Sequence, residues 1–226
     1  MLVFNWMEDH SLPMLLLVGT VFTFFWLVRF RERLGLKLYT AALLALLHTV
    51  VGVFCVCAFA ALEALDLRAF ENMSLFGGVF FMPILYFALS KLLHCPGKEV
   101  FDIFSICMLF TLMCARINCL AAGCCTGKQI PGTVMHWPTR ELEIVFYLVC
   151  LVIFGRWVWK EKINGKIYPE YMMAYGVFRF IIEWFRTSDS PYIFHKAHIW
   201  ALLSLCLGLA VYLELQAKER KQRRRG

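Results

Sequence analysis

The chain has 226 residues, of which 61% are hydrophobic and 17% charged, with a formal net charge of +7. Soluble domains carry roughly 45–50% apolar and about 25% charged residues, so this composition excludes a disordered chain and argues against a soluble globular one. It fits a polytopic membrane protein, which hides apolar surface in lipid rather than in a single core.

A bilayer-crossing helix needs about 20 predominantly apolar residues. Windows of this kind cover residues 12–28, 38–61, 75–93, 100–120, 142–159, 168–184 and 199–215. They predict an all-α polytopic fold with about seven transmembrane helices, forming one integral membrane domain over residues 1–226. The third window opens on Gly77-Gly78 and contains Pro83. Such a segment belongs inside a bundle, where neighbours satisfy the freed backbone groups. The residues ahead of the first window include Glu8 and Asp9 and no basic side chain, unlike a cleavable signal peptide.

Of the 23 Lys and Arg residues, 16 fall in segments 29–37, 91–98, 156–166 and the tail 216–226, on alternate sides of the windows. Excess Lys and Arg marks the cytoplasmic face. The N-terminus is therefore expected outside and the C-terminus in the cytoplasm. The basic tail reads as a topology determinant beside anionic lipid, and nucleic acid is not an expected partner.

Charges inside a span are costly and are usually paired or functional. The sixth window carries Tyr175, Arg179 and Glu183, followed by Arg186. At about 100° per residue these four share an arc of about 80°. The face reads either as a structural Arg179–Glu183 pair or as a site for an anion such as phosphate, which Arg binds in bidentate fashion. A second cluster ends the fourth window, from Arg116 and Asn118 through Cys119 to Gly123, Cys124, Cys125 and Gly127. Its small residues suggest a tight re-entrant turn with backbone donors facing a ligand. A third cluster, His136 to Glu143, precedes the fifth window, with Glu141 in its first turn and Glu143 just inside. All three clusters fall on the expected outer side, which points to one site there.

Most of the ten cysteines lie within the windows and do not imply a disulfide framework. Cys119, Cys124 and Cys125 cluster in the outer turn. They read as packing thiols, as a disulfide, or as metal ligands with His136. Vicinal cysteines match zinc-ligand spacing poorly, and no metal or other cofactor is expected.

The motifs resemble a known family. Arg116-Ile117-Asn118-Cys119 through Gly123-Cys124-Cys125-Thr126-Gly127 resembles the first signature of the prolipoprotein diacylglyceryl transferases, in the Gly-Cys-Cys form of their shorter members. Trp137-Pro138-Thr139 through Glu143 is similar to the family's His-Pro-Ser/Thr-Gln-Leu-Tyr-Glu. The run from Tyr175-Gly176 through Arg179 and Glu183 to Arg186 matches the third signature closely, and Phe76-Gly77-Gly78 stands where the family has His-Gly-Gly. The resemblance implies transfer of a diacylglyceryl group from phosphatidylglycerol to the lipobox cysteine thiol of a prolipoprotein, with release of glycerol phosphate. It implies that Arg116 and Arg179 bind and stabilise the phosphate and that Tyr175 positions or deprotonates. Glu183 and Arg186 would hold the arginines and Glu143 would order the site. Asn118, Gly77, Gly78, Gly127 and His136 join the expected substrate-binding set. The implied partners are phosphatidylglycerol or a similar anionic phospholipid and the prolipoprotein signal peptide. The implied location is the bacterial inner membrane, multi-pass and monomeric, with the site toward the outer leaflet. The chain departs from the family where Phe76 replaces the histidine and where Trp137, Cys119 and Cys124 replace polar motif residues. The alternatives are a relative acting on another lipid or acceptor, and a non-catalytic phospholipid-binding membrane protein.

Overall fold

The computed structural model describes residues 2–187 and 194–224. Among these, the chain is all-helical. It forms α1 (Leu2–Arg29), α2 (Leu38–Ala64), α3 (Phe76–Leu92), α4 (Gly97–Ala121), α5 (Thr139–Trp159), α6 (Ile167–Glu183) and α7 (Lys196–Arg223), with a short 3-10 turn at Leu67–Glu71. Five helices are long and apolar enough to cross a membrane, and α3 is a shorter apolar helix. The protein is a polytopic membrane protein. Large apolar side chains such as Leu17, Phe25 and Leu43 point outward from α1 and α2, as they do on surfaces solvated by lipid.

The predicted windows and the helices agree to within a few residues, apart from the two ends of the chain. The first helix begins at Leu2, well before its apolar stretch. The last continues to Arg223 rather than ending at a separate tail. The tail is rich in Ala, Lys, Glu, Gln and Arg, all strong helix formers. Glu214 and Lys218 form an i, i+4 pair at 2.7 Å, and Lys166 ties the helix back through Glu219 at 2.7 Å. Arg225 of the expected basic tail lies outside the described residues.

The central helix α4 packs against α1, α3, α5 and α6, while α6 packs along α7. Two local solutions make this packing possible. Pro83 in α3 has no N–H for the carbonyl of Val79, four residues earlier. The Tyr168 hydroxyl from α6 donates to that carbonyl instead, so the helix continues without an orphan acceptor. Small residues let α6 and α7 approach closely. A Cβ at Gly176 would lie 2.7 Å from the Ala201 carbonyl, and one at Gly208 would lie 2.9 Å from the Pro169 carbonyl.

The start of α6 is set by Asp102, a fully buried carboxylate near the start of α4. Its Oδ2 accepts the backbone N–H of Asn164 at 2.9 Å and of Gly165 at 2.8 Å, and its Oδ1 that of Ile167 at 3.1 Å. The Ile167 N–H is an orphan donor of the helix N-terminus and the other two belong to the loop before it; the carboxylate satisfies all three and complements the helix dipole. The same end of the bundle gathers Arg33 with Glu99 at 3.4 Å and Glu161 at 3.3 Å. The ends of α4 and α6 therefore lie together at the opposite end.

Candidate active site

At that opposite end, Glu143 of α5 is the hub of a buried charge cluster. It is 1% exposed. Its Oε1 takes Arg179 Nη1 at 2.8 Å and Arg186 Nη1 at 2.9 Å, and its Oε2 pairs with Arg116 Nε. Glu183 adds a second carboxylate, bound to Arg179 Nη2 at 2.9 Å, to Arg186 Nε at 3.6 Å and to His195 Nε2 at 2.9 Å. Three guanidinium groups against two carboxylates leave a net charge of +1. The two carboxylates hold the arginines in place without neutralising them.

The excess charge faces a cavity of about 370 Å³ whose wall includes Arg116, Arg179, Arg186, Tyr175, Cys125 and Phe76. The Phe76 ring sits under the Arg179 guanidinium, 5.6 Å from ring centre to Cζ, and meets the Tyr175 ring edge-on at 5.6 Å. That cation–π contact fixes Arg179 from a third side. The Tyr175 hydroxyl has no hydrogen-bond partner among the described residues. Lys196 reaches across the rim to donate to the Glu63 carbonyl at 2.9 Å. Beside the polar cavity lies an apolar cleft between α1, α2, α3 and α4; Met73 and Leu75 line both.

The expected re-entrant turn is built differently. Helix α4 continues through Arg116 and Cys119 to Ala121, and the chain turns only at Gly123 (φ +66°) and Cys125 (φ +57°). The apolar side chains around Arg116 are paid for by burial against four helices, which keeps this stretch helical. The loop is pinned to the chain beyond α6. Lys128 N–H donates to the Phe185 carbonyl at 2.7 Å, and Gly127 bridges Arg186. Gly127 is required there, because a Cβ would collide with the Trp137 carbonyl.

Of the expected site residues, Arg116, Tyr175, Arg179 and Arg186 come together on the cavity wall, with Glu143 and Glu183 behind them. The others stand off that wall, although Gly78 lines the adjoining apolar cleft. Asn118 turns toward α1, where its Oδ1 accepts the Ser11 hydroxyl at 2.7 Å. Gly77 lets α3 meet the α2 backbone at Cys55, and Gly78 packs on Leu112. His136 is exposed and bridges Gln129 through the backbone, and it does not join the group formed by the three cysteine sulfurs. The helical arc that grouped Arg186 with Arg179 reached the correct neighbour by another route. Helix α6 ends at Glu183, and the Gly127 bridge, not the helix, returns Arg186 to the site. His195 and Phe76 as an arginine platform were not foreseen; only the fold brings them near. Cys125, read in the sequence as one member of the cysteine turn, is the one of the three that reaches the cavity wall.

The Cys119, Cys124 and Cys125 sulfurs lie within 4.8 Å of one another. The Cys125 thiol is held down to about 4 by the hydrogen-bonded Cys119 thiol and by the Arg186 and Arg116 guanidinium groups, against the opposing effect of burial, while burial pushes Cys124 up.

A protein-family model described as prolipoprotein diacylglyceryl transferase matches residues 10–214. A phosphatidylglycerol–prolipoprotein diacylglyceryl transferase of Finegoldia magna is 30% identical over 173 residues, covering 71% of this chain and 66% of its own length. One from Dehalococcoides mccartyi is 23% identical over 168 residues, covering 67% of this chain and 64% of its own length. The match thus spans just under two thirds of these relatives. A third, named transferase 2, from Clostridium perfringens, is 28% identical over 124 residues. With the matched model running from before α2 into α7, this chain belongs to the prolipoprotein diacylglyceryl transferase family.

Proposed function

We propose that the protein transfers a diacylglyceryl group from phosphatidylglycerol to the cysteine thiol of a prolipoprotein signal peptide, at the outer leaflet of a bacterial inner membrane. The observation that carries the reading is the convergence of Arg116, Arg179 and Arg186 on one cavity that adjoins an apolar cleft. A phospholipid has the matching form, an anionic phosphodiester joined to acyl chains. The relatives' names supply the substrates, and the positive-inside pattern supplies the orientation.

In the reaction the acceptor thiol loses its proton to solvent, and its sulfur forms a bond to the diacylglyceryl carbon that carries the phosphate ester. The carbon–oxygen bond breaks, and the electron pair leaves with glycerol phosphate. Charge grows on the departing phosphate, so preorganised guanidinium groups in a low-dielectric cavity stabilise the transition state more than the ground state. Arg116 and Arg179 hold the phosphate. Tyr175 is free to donate to one of its oxygens. Glu143, Glu183 and the Phe76 ring keep the arginines preorganised.

The test uses membranes containing the protein, labelled phosphatidylglycerol and a lipobox peptide. Peptide thioether forms with the parent protein and is lost with Arg116→Ala and Arg179→Ala. Parent membranes that leave the thiol unmodified contradict the reading. One observation favours a second reading, a family relative with a different lipid or acceptor: the cavity wall carries the apolar Phe76 where the family signature has histidine. A lipidome changed by the protein while the lipobox thiol stays free would establish it.

A further inference from the structure

We propose that Cys119 and Cys125 form a thiol pair which an external disulfide oxidises to a protein disulfide, and that this modification raises the affinity of the arginine cavity for phosphate. The inference rests on the transfer reading and adds to it a modification site that regulates the same cavity.

Three observations carry it. First, the sulfurs of Cys119, Cys124 and Cys125 lie within 4.8 Å of one another, and all three thiols are free. Among them, Cys119 is the partner for Cys125. A bond between the adjacent Cys124 and Cys125 would close a small ring through their shared peptide and strain its planarity. The Cys124 thiol is turned instead to the Cys119 carbonyl, at 3.7 Å. Second, the turn fixes Cys125 while leaving it exposed to a reagent. Its backbone is left-handed, φ +57°. Its carbonyl accepts the Thr139 hydroxyl at 3.5 Å, and the next carbonyl, of Thr126, accepts the Thr187 hydroxyl at 2.9 Å. Third, Cys125 is the one of the three that lines the cavity with Arg116, Arg179 and Arg186. The hydrogen-bonded Cys119 thiol and the Arg186 and Arg116 guanidinium groups favour its thiolate, which is the reactive form. An exposed, stabilised thiolate with a second thiol in reach is the arrangement of redox-responsive cysteines. The expected outer position of the loop is also the side on which disulfides persist.

The Cys125 thiolate attacks one sulfur of the external disulfide, which forms a mixed disulfide and expels one thiolate. The Cys119 thiol gives its proton to solvent. Its sulfur then attacks the Cys125 sulfur of the mixed disulfide and expels the second thiolate. Two protein thiols are oxidised, and one external disulfide is reduced to two thiols. The charge on the cavity changes with this step. In the reduced form the Cys125 thiolate stands on the cavity wall and cancels the single positive charge left by three guanidinium groups and two carboxylates. A phosphate then meets a neutral cluster that already contains an anion at its surface. The protein disulfide is uncharged, so oxidation removes that anion and returns the excess positive charge to the arginines. The oxidised form therefore binds phosphate more tightly than the reduced form.

The test uses the purified full chain in detergent, with glutathione disulfide as the oxidant and glycerol phosphate as the phosphate probe. Oxidation is expected to link Cys119 to Cys125, read by peptide mapping after alkylation. It is expected to tighten glycerol phosphate binding roughly tenfold at low salt, and reductant should reverse both changes. Cys119→Ser should retain glutathione on Cys125, because the thiol that resolves the mixed disulfide is gone. Cys125→Ser should bind the probe as the oxidised parent does, with or without reductant. A link through Cys124, equal affinity in the two forms, or a Cys125→Ser protein whose affinity still responds to reductant overturns the proposal. Thioether formation by a protein whose Cys119 and Cys125 stay free under the oxidant overturns it and leaves the transfer reading intact. A linked pair with shifted affinity, and no thioether from phosphatidylglycerol and a lipobox peptide in either form, supports the pair and contradicts the transfer reading.

Discussion

Glu143→Gln removes one charge and almost no volume, so it isolates the electrostatic role of the hub. The carboxylate is 1% exposed and holds three guanidinium groups. The amide keeps one acceptor, which can face Arg179 and Arg186. Its NH₂ group then faces Arg116, donor against donor. The net charge of the cluster rises from +1 to +2 with only Glu183 left to offset it. Removing one partner of a buried ion pair costs about 3–5 kcal/mol. For a chain of this size that corresponds to a fall in Tm of roughly 6–20 °C. Burial shields the pair from salt, so the fall should persist at high ionic strength. Thermal unfolding in detergent, followed through the seven tryptophans, measures it. Adding Arg116→Met to Glu143→Gln should recover part of the loss, with a coupling of about 0.5–3 kcal/mol. A Glu143→Gln protein that melts within about 2 °C of the parent would refute the reasoning, because the hub would then carry no net electrostatic stabilisation.

Two further substitutions test the scaffold. Gly176→Val places side-chain atoms where α6 meets the α7 backbone at Ala201 and Leu205; overpacking of about 1–3 kcal/mol should lower Tm by roughly 2–12 °C, and an unchanged Tm would contradict the close crossing. Asp102→Asn leaves at least one of three backbone N–H groups facing an NH₂. The cost of about 1–3 kcal/mol should appear in thermal unfolding, with unchanged transfer per folded molecule because the residue lies at the far end of the bundle. Loss of transfer at full stability would contradict that separation.

The helices were legible because lipid demands long apolar runs, which no other constraint imitates. The charge cluster was legible for the complementary reason: Arg116, Glu143, Arg179 and Glu183 stand out against apolar neighbours, and burial of such groups demands partners. What stayed hidden depends on tertiary geometry. Asp102 looks like an ordinary acidic residue early in a helix until the loop before α6 is folded onto it. Tyr168 reveals its purpose only once Val79 has lost its donor to Pro83. Glycines are ambiguous in the same way. Gly77, Gly78 and Gly127 were expected at the ligand, and all three permit close packing of protein on protein. His136 is near the cysteines in sequence, yet the sulfurs of Cys119, Cys124 and Cys125 gather without it.

The central claim is that the arginine cavity drives a transfer, not mere lipid binding. Its most direct measurement is the paired yield of products from purified protein, phosphatidylglycerol and a lipobox peptide. The account predicts one glycerol phosphate released per peptide thioether formed, with both lost together in Arg116→Ala and Arg179→Ala. Phosphatidylglycerol bound at the cavity with neither product formed, or glycerol phosphate released with the thiol still free, would contradict it.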